Sequence, residues 1–304
     1  MRSLYKIKRF LNVGYHTRII ENHLKYAVRQ NYLVDKVNNC KELGVTNELY
    51  CDHEVVVSLT THGKRLYDVA LTIESIMQGT IKPNRIILWL SDGAPINSML
   101  LRQKERGLEV CTCEDMRSFT KLVPALKMFP GANIITIDDD ALYNYDLVEN
   151  LIIMHKQYPQ HIIANRIHRI KLNKDNRPLS YLEWQWNNAP EDDSPLNFFT
   201  GVGGVLYPPY ALDSEVMNKS VFLDICKYAD DIWFNAMALK AGTRVRKGFT
   251  HSIRGEDYLS NEDIQDSGLY RININTRKNT KSTANDIQLE AVFNKYDLWD
   301  KLLL

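Results

Sequence analysis

The stretch Asn133-Ile134-Ile135-Thr136-Ile137-Asp138-Asp139-Asp140-Ala141-Leu142 sets three carboxylates directly after a β-branched apolar run. A run of that kind reads as a buried strand. Three carboxylates at its end repel one another unless a cation sits among them, and a divalent metal is the obvious candidate. Side chains in an extended segment repeat every second position, so Asp138 and Asp140 are placed to share one ion while Asp139 points the other way. Hard oxygen ligands favour Mg²⁺ or Mn²⁺ over zinc. Taken alone, an Asp-rich turn reads more simply as an acidic turn or a helix N-cap, so the surrounding chain has to decide.

Working back from the triplet, strands and helices alternate. Val55-Val56-Val57-Ser58-Leu59 is a short β-rich run, followed by the polar turn Thr60 to Arg65. Leu66, Val69, Ala70, Ile73, Ile76 and Met77 then recur at helical spacing. After Pro83-Asn84, the segment Arg85 to Leu90 gives a second strand that ends at Ser91-Asp92-Gly93. A polar helix over Leu100 to Arg106, a short strand Leu108 to Cys111 and a helix Leu122 to Met128 lead into the Ile134 strand. This alternation predicts an α/β fold with a mostly parallel sheet, whose ligands gather at the carboxyl ends of the strands. Thr60 to Arg65, Ser91 to Gly93 and Asp138 to Asp140 all lie at such ends.

Composition narrows the possibilities. The 304 residues are 44% hydrophobic, enough for one large α/β domain with extensions or for two smaller ones. Lys and Arg number 38 against 37 Asp and Glu, a net charge of +1, so no polyanion-binding surface is indicated and nucleic acid is not an expected partner. The five cysteines are odd in number, and Cys111-Thr112-Cys113 lacks zinc-ribbon spacing, so they read as reduced thiols of a cytoplasmic protein. No run approaches the length needed to cross a bilayer, and the start MRSLYKIKRFL lacks the apolar core of a signal peptide. Arg2, Lys6, Lys8 and Arg9 interleave with Leu4, Ile7, Phe10 and Leu11, which suits either peripheral contact with an anionic membrane face or a packed helix with solvated charges. The expected organisation is a helical extension over 1–52, a main α/β domain over 53–245 with halves 53–145 and 146–245, and a lid with a closing helix over 246–304.

Taken in order, VVVSLTTHGKR, LTIESIMQGTIKPNRIILWLSDG, FTKLVPAL, IDDDALY, GVGGVLYPP and ADDIWFNAMALKAG resemble the GT-A fold glycosyltransferases, family-2-like, of the type that builds bacterial capsular polysaccharide and lipopolysaccharide. The resemblance covers roughly residues 54 to 242 and rests on the ordered set of phrases. Strand two departs from it, ending Leu90-Ser91-Asp92-Gly93 without the family's acidic pair. The resemblance implies a Rossmann-like GT-A sheet flanked by helices and an Mn²⁺- or Mg²⁺-dependent, inverting transfer. The donor would be a nucleotide-sugar, a UDP-sugar foremost, and the acceptor a saccharide or lipid-linked chain. A metal between diphosphate and carboxylates would stabilise the charge that develops on the leaving group.

By the same resemblance, Asp140 and Asp138 are the metal ligands, and Asp138 also faces the donor. Asp92 reads the base beside Thr60 and Thr61, and Arg65 and Lys121 are cations for the diphosphate. Of Asp230-Asp231, one caps the following helix, and Asp231 is the general base with Asp230 in support. Gly201 to Pro209 lacks GxGxxG spacing and reads as a place of close backbone approach to the donor. Tyr181 to Pro195, with Trp184, Trp186, Asn187 and Asn188, reads as an acceptor loop whose aromatics stack on sugar or simply anchor it. His251 or Asn285-Asp286 would be further contacts, and Lys278 to Lys281 a lid over the phosphates. The alternatives are a non-catalytic carbohydrate-binding or scaffold protein on the same fold, or a nucleotidyltransferase. The latter fits poorly, since it wants a Gly-rich basic loop where Thr60-Thr61-His62-Gly63 stands.

Overall fold

A computed structural model of the chain describes residues 2–188, 190–249, 258–260, 273 and 282–304, and for 2–16 and 18 the backbone alone. The elements in order are α1 (Arg2–Asn39), β1 (Val55–Thr60), α2 (Val69–Met77), β2 (Arg85–Leu90), α3 (Ser98–Lys104), β3 (Leu108–Thr112), α4 (Val123–Met128), β4 (Asn133–Thr136), β5 (Ala141–Tyr143) and α5 (Leu147–Gln157). They continue with β6 (Ile162–Ala164), β7 (Ile167–Arg169), β8 (Asn197–Phe199), β9 (Val205–Tyr207), α6 (Lys219–Ile225), α7 (Asp230–Ala241), β10 (Val245–Lys247), β11 (Tyr258–Ser260) and α8 (Ala284–Tyr296).

Seven strands form one sheet in the order β10-β6-β9-β4-β1-β2-β3. Strand β9 alone runs against the rest, pairing antiparallel with both β4 and β6, while the other neighbours pair parallel. The predicted α/β class and mostly parallel sheet are therefore present. The two sheet faces are buried by alternate residues of the same strands. Val56, Ile87 and Ile134 join a core built with α4, α6, α7 and α8. Val55, Val57, Ile86, Leu88 and Ile135 join another with α2, α3 and α5. Burial on both faces explains the unbroken apolar runs that the sequence presents, each Val, Ile or Leu contributing about 1.5–3 kcal/mol.

From β1 the chain moves outward to β2 and β3, then returns to β4 on the other side of β1. That reversal opens a crevice at the carboxyl ends of β1 and β4. Because β9 is antiparallel, its amino end, rather than its carboxyl end, faces the same crevice, and with it the glycines that precede Val205.

Two expectations shift in detail. Strand β4 ends at Thr136 instead of Ile137, and Asp139-Asp140 lie in a turn, so the two-residue alternation of an extended segment no longer sets where the triplet points. The closing helix expected to Leu304 ends at Tyr296, where Asp297 is left-handed at φ 50, and a 3₁₀ turn follows over Asp300–Leu303. Helix α1 is continuous to the Asn38-Asn39 pair and packs through Leu33 and Val37 on Leu71 and Leu142. The basic side chains of its first turns, His251 and Lys278 to Lys281 lie outside the described residues.

Candidate active site

Lys121 is the hub of the crevice. It ends a 3₁₀ turn, Arg117–Lys121, which is held over the sheet by its own carbonyl, the acceptor of a 2.6 Å hydrogen bond from Ser58 Oγ. Ser58 Oγ in turn accepts from Trp89 Nε1 at 2.9 Å. The Lys121 ammonium lies 2.7 Å from Asp138 Oδ1 and 3.0 Å from Asp230 Oδ2, joining two acidic phrases far apart in sequence. Burial opposes its charge, but Asp138, Asp230 and Asp231 outweigh that and hold its pKa well above the ordinary lysine value. A solvated surface lysine is thus excluded.

Around this hub the acidic triplet divides by direction. Asp138 faces Lys121, and its backbone N–H donates to the hydroxyl of Tyr143, which donates onward to the Val202 carbonyl. Asp139 is the most buried of the three and fastens the loop after β1, accepting from Thr61 Oγ1 at 2.6 Å and Arg65 at 2.9 Å. Arg65 also reaches Asp140 Oδ2 at 3.3 Å. Asp140 is pushed up to about 6 by burial and the Asp138 charge, against the opposing pull of Arg65.

The second acidic phrase begins α7. The cap position is Ala229, which makes no side-chain bond, and both aspartates sit in the first turn, so neither caps the helix as expected. Their charge still lies at the positive end of the helix dipole. Asp231 Oδ1 accepts from the Gly201 N–H at 3.0 Å. Burial and the neighbouring Asp230 push Asp231 up to about 7, with Lys121 pulling the other way. A Cβ on Gly201 would fall 2.6 Å from Lys121 Nζ and 3.4 Å from carboxylate oxygens of Asp138 and Asp231, so the glycine faces directly into the cluster. Gly204, at φ 85, makes the turn into β9.

The remaining candidates stand further out. Thr60 Oγ1 donates to the Trp89 carbonyl at 3.0 Å, and Asp92 is exposed just beyond β2. Trp184 is buried and Trp186 half-buried in the core, their indole N–H groups donating to the carbonyls of Leu179 and Tyr181. Trp186 also stacks on His168. These rings anchor the Tyr181 to Pro195 loop, so the stacking role on sugar is closed to Trp184. Asp286 is committed to a capping box with Thr283 and to Ser180 and Tyr181. Ser58 and Tyr143 were not singled out by sequence. A serine inside an apolar strand was the one available signal for the first.

The cluster suits a hard divalent cation. Five carboxylates, Asp138, Asp139, Asp140, Asp230 and Asp231, face two paired cations, Lys121 and Arg65. Asp230 Oδ2, although near Lys121, receives no hydrogen bond. Among the described residues both observations leave negative charge in excess among oxygen donors, the donor type that Mg²⁺ and Mn²⁺ take. Among the described residues, this cluster brings no three His, Cys, Asp or Glu ligand atoms together.

No family model matches the sequence, and no curated protein matches it. Among solved structures, the crystal structure of S. aureus TarS 1–349 is similar at 15% identity with a TM-score of 0.45, covering 80% of this chain and 71% of that one. No helix among the described residues is long and apolar enough to cross a membrane.

Proposed function

We propose that the protein is a divalent-metal-dependent GT-A glycosyltransferase of the inverting kind, moving a sugar from a nucleotide-sugar, a UDP-sugar foremost, to a saccharide or lipid-linked acceptor. The observation that carries this reading is the convergence of Asp138, Asp230 and Asp231 about Lys121, with Asp140 next to Asp138 and held by Arg65, at one edge of a mostly parallel sheet. The ordered sequence phrases favour the same reading. Asp138 and Asp140 would hold Mn²⁺ or Mg²⁺, which when bound supplies charge stabilisation to a departing diphosphate.

The protein's own groups divide the remaining work. Gly201 binds one oxygen of Asp231 and leaves the other to receive a proton from the acceptor hydroxyl as it attacks the anomeric carbon. Lys121 fixes Asp138 and Asp230, so the donor side and the base side keep one geometry. Arg65 holds Asp140 and its neighbour Asp139, and Thr61 holds Asp139, which ties the loop after β1 to the triplet. Asp92, exposed at the end of β2, is assigned to the base. A role in surface-polysaccharide synthesis, with peripheral membrane contact through α1, suits the exposed Ile20, Leu24 and Val28 at four-residue spacing. The test is transfer from a panel of UDP-, GDP-, CMP- and dTDP-sugars: Asp140→Asn is expected to keep the fold, by circular dichroism, and lose transfer. Full activity in that variant overturns the reading.

A further inference from the structure

At the other end of the sheet from the crevice, the segment entering β1 lies against the last turn of α5. Cys51, Asp52 and His155 meet there, each offering a ligand atom, all within 4.8 Å of one another. The His155 ring is buried, its side chain 2% exposed, with Nε2 3.4 Å from Asp52 Oδ1. Its Nδ1 has no hydrogen-bond partner. Cys51 Sγ accepts from Asn133 Nδ2 at 3.3 Å and donates to the His53 carbonyl at 3.5 Å, and Asn133 begins β4. His53 stands alongside, its Nε2 3.6 Å from Asp52 Oδ2.

An ordinary ion pair between Asp52 and the helix-terminal His155 explains one of these contacts. It leaves unexplained why a thiol and a buried imidazole converge on the same carboxylate, with all three ligand atoms within 4.8 Å of one another. We propose that Cys51, Asp52 and His155 form a zinc site, with His53 or water as the fourth donor. Thiolate, imidazole and carboxylate are the donors that zinc takes in tetrahedral sites, and a set containing sulfur and nitrogen disfavours Mg²⁺ and Mn²⁺. Asn133 is then an outer partner that orients the sulfur. The ion joins the entry of β1 to the end of α5, two segments 103 residues apart along the chain, so its binding contributes to folding. The site is separate from the acidic crevice and does not depend on the proposed transfer.

The experiment uses tag-free, full-length protein, stripped of metal and titrated with Zn²⁺ alone against a chromogenic chelator. One zinc per chain is expected, together with slowed alkylation of Cys51 and a raised melting temperature. Cys51→Ser and Asp52→Asn are each expected to weaken binding by at least the 10–100-fold that loss of an outer partner costs, while Cys113→Ser and Asp140→Asn retain it. Asp52 is exposed, so its variant reports even where Cys51→Ser fails to fold. Absence of stoichiometric zinc, or equal binding by wild type and Asp52→Asn, overturns the proposal.

Discussion

Asp231 and Lys121 show how charge at single residues sets the chemistry. Asp231 must be ionised to accept a proton, and burial with Asp230 beside it raises its pKa to about 7, so the basic form is lost as pH falls through that value. The expected pH profile of kcat/KM therefore rises about tenfold per pH unit below 7 and levels above it. Asp231→Asn is expected to lower kcat by about 10²–10⁴-fold and to abolish that slope. A pH-rate series on both proteins checks this, and an unchanged slope in the variant removes Asp231 from the role of base. Both acidic phrases were legible in the sequence because carboxylates placed after a strand or before an apolar helix stand out locally. Ser58 and Tyr143 were not, since Ser58 acts on the Lys121 carbonyl and Tyr143 links the Asp138 N–H to the Val202 carbonyl, each across more than fifty residues of chain.

At the scale of elements, the reversed strand β9 matters most. Its direction delivers Gly201 to the cluster, and the sequence showed a glycine-rich stretch without showing which way the strand ran. Gly201→Ala meets no left-handed backbone angle, so its effect comes from the Cβ placed 2.6 Å from Lys121 Nζ. Overpacking of that kind costs about 1–3 kcal/mol, and displacement of the ammonium is expected to remove most transfer activity. Gly131→Ala, with open space around it, is expected to be neutral in both melting temperature and turnover. Equal behaviour of the two variants contradicts the assigned place of Gly201. The triplet teaches a related lesson. Periodicity placed Asp138 and Asp140 together only if the strand continued, but β4 stops at Thr136, and what separates the three carboxylates is instead their partners, Lys121, Thr61 and Arg65.

For the whole molecule, the α/β class and parallel sheet were legible because double-sided burial writes itself as continuous apolar runs between amphipathic helices. Contacts between distant segments were not, the Cys51 and His155 meeting among them, since only the fold brings them together. The acidic cluster also affects global stability. Asp140 and Asp231 have pKa values of about 6 and about 7 in the fold, against 3.8 for an unperturbed aspartate. The folded state therefore holds protons that the unfolded chain releases, and this contribution is present below pH 4 and lost as pH rises through 6 and 7. For Asp140 the cost at pH 7.5 is on the order of 2–3 kcal/mol. In chelator, Asp140→Asn is expected to melt higher than wild type at pH 7.5 and to lose that advantage at low pH, which paired thermal melts would measure. If the excess of carboxylates in the crevice serves to bind a metal and a nucleotide-sugar together, calorimetric titration of the nucleotide-sugar panel will show the two bindings linked. One nucleotide-sugar is expected to bind in Mn²⁺, with the heat disappearing in EDTA and in Asp140→Asn. Binding that is indifferent to metal, or no binding by any member of the panel, would contradict it.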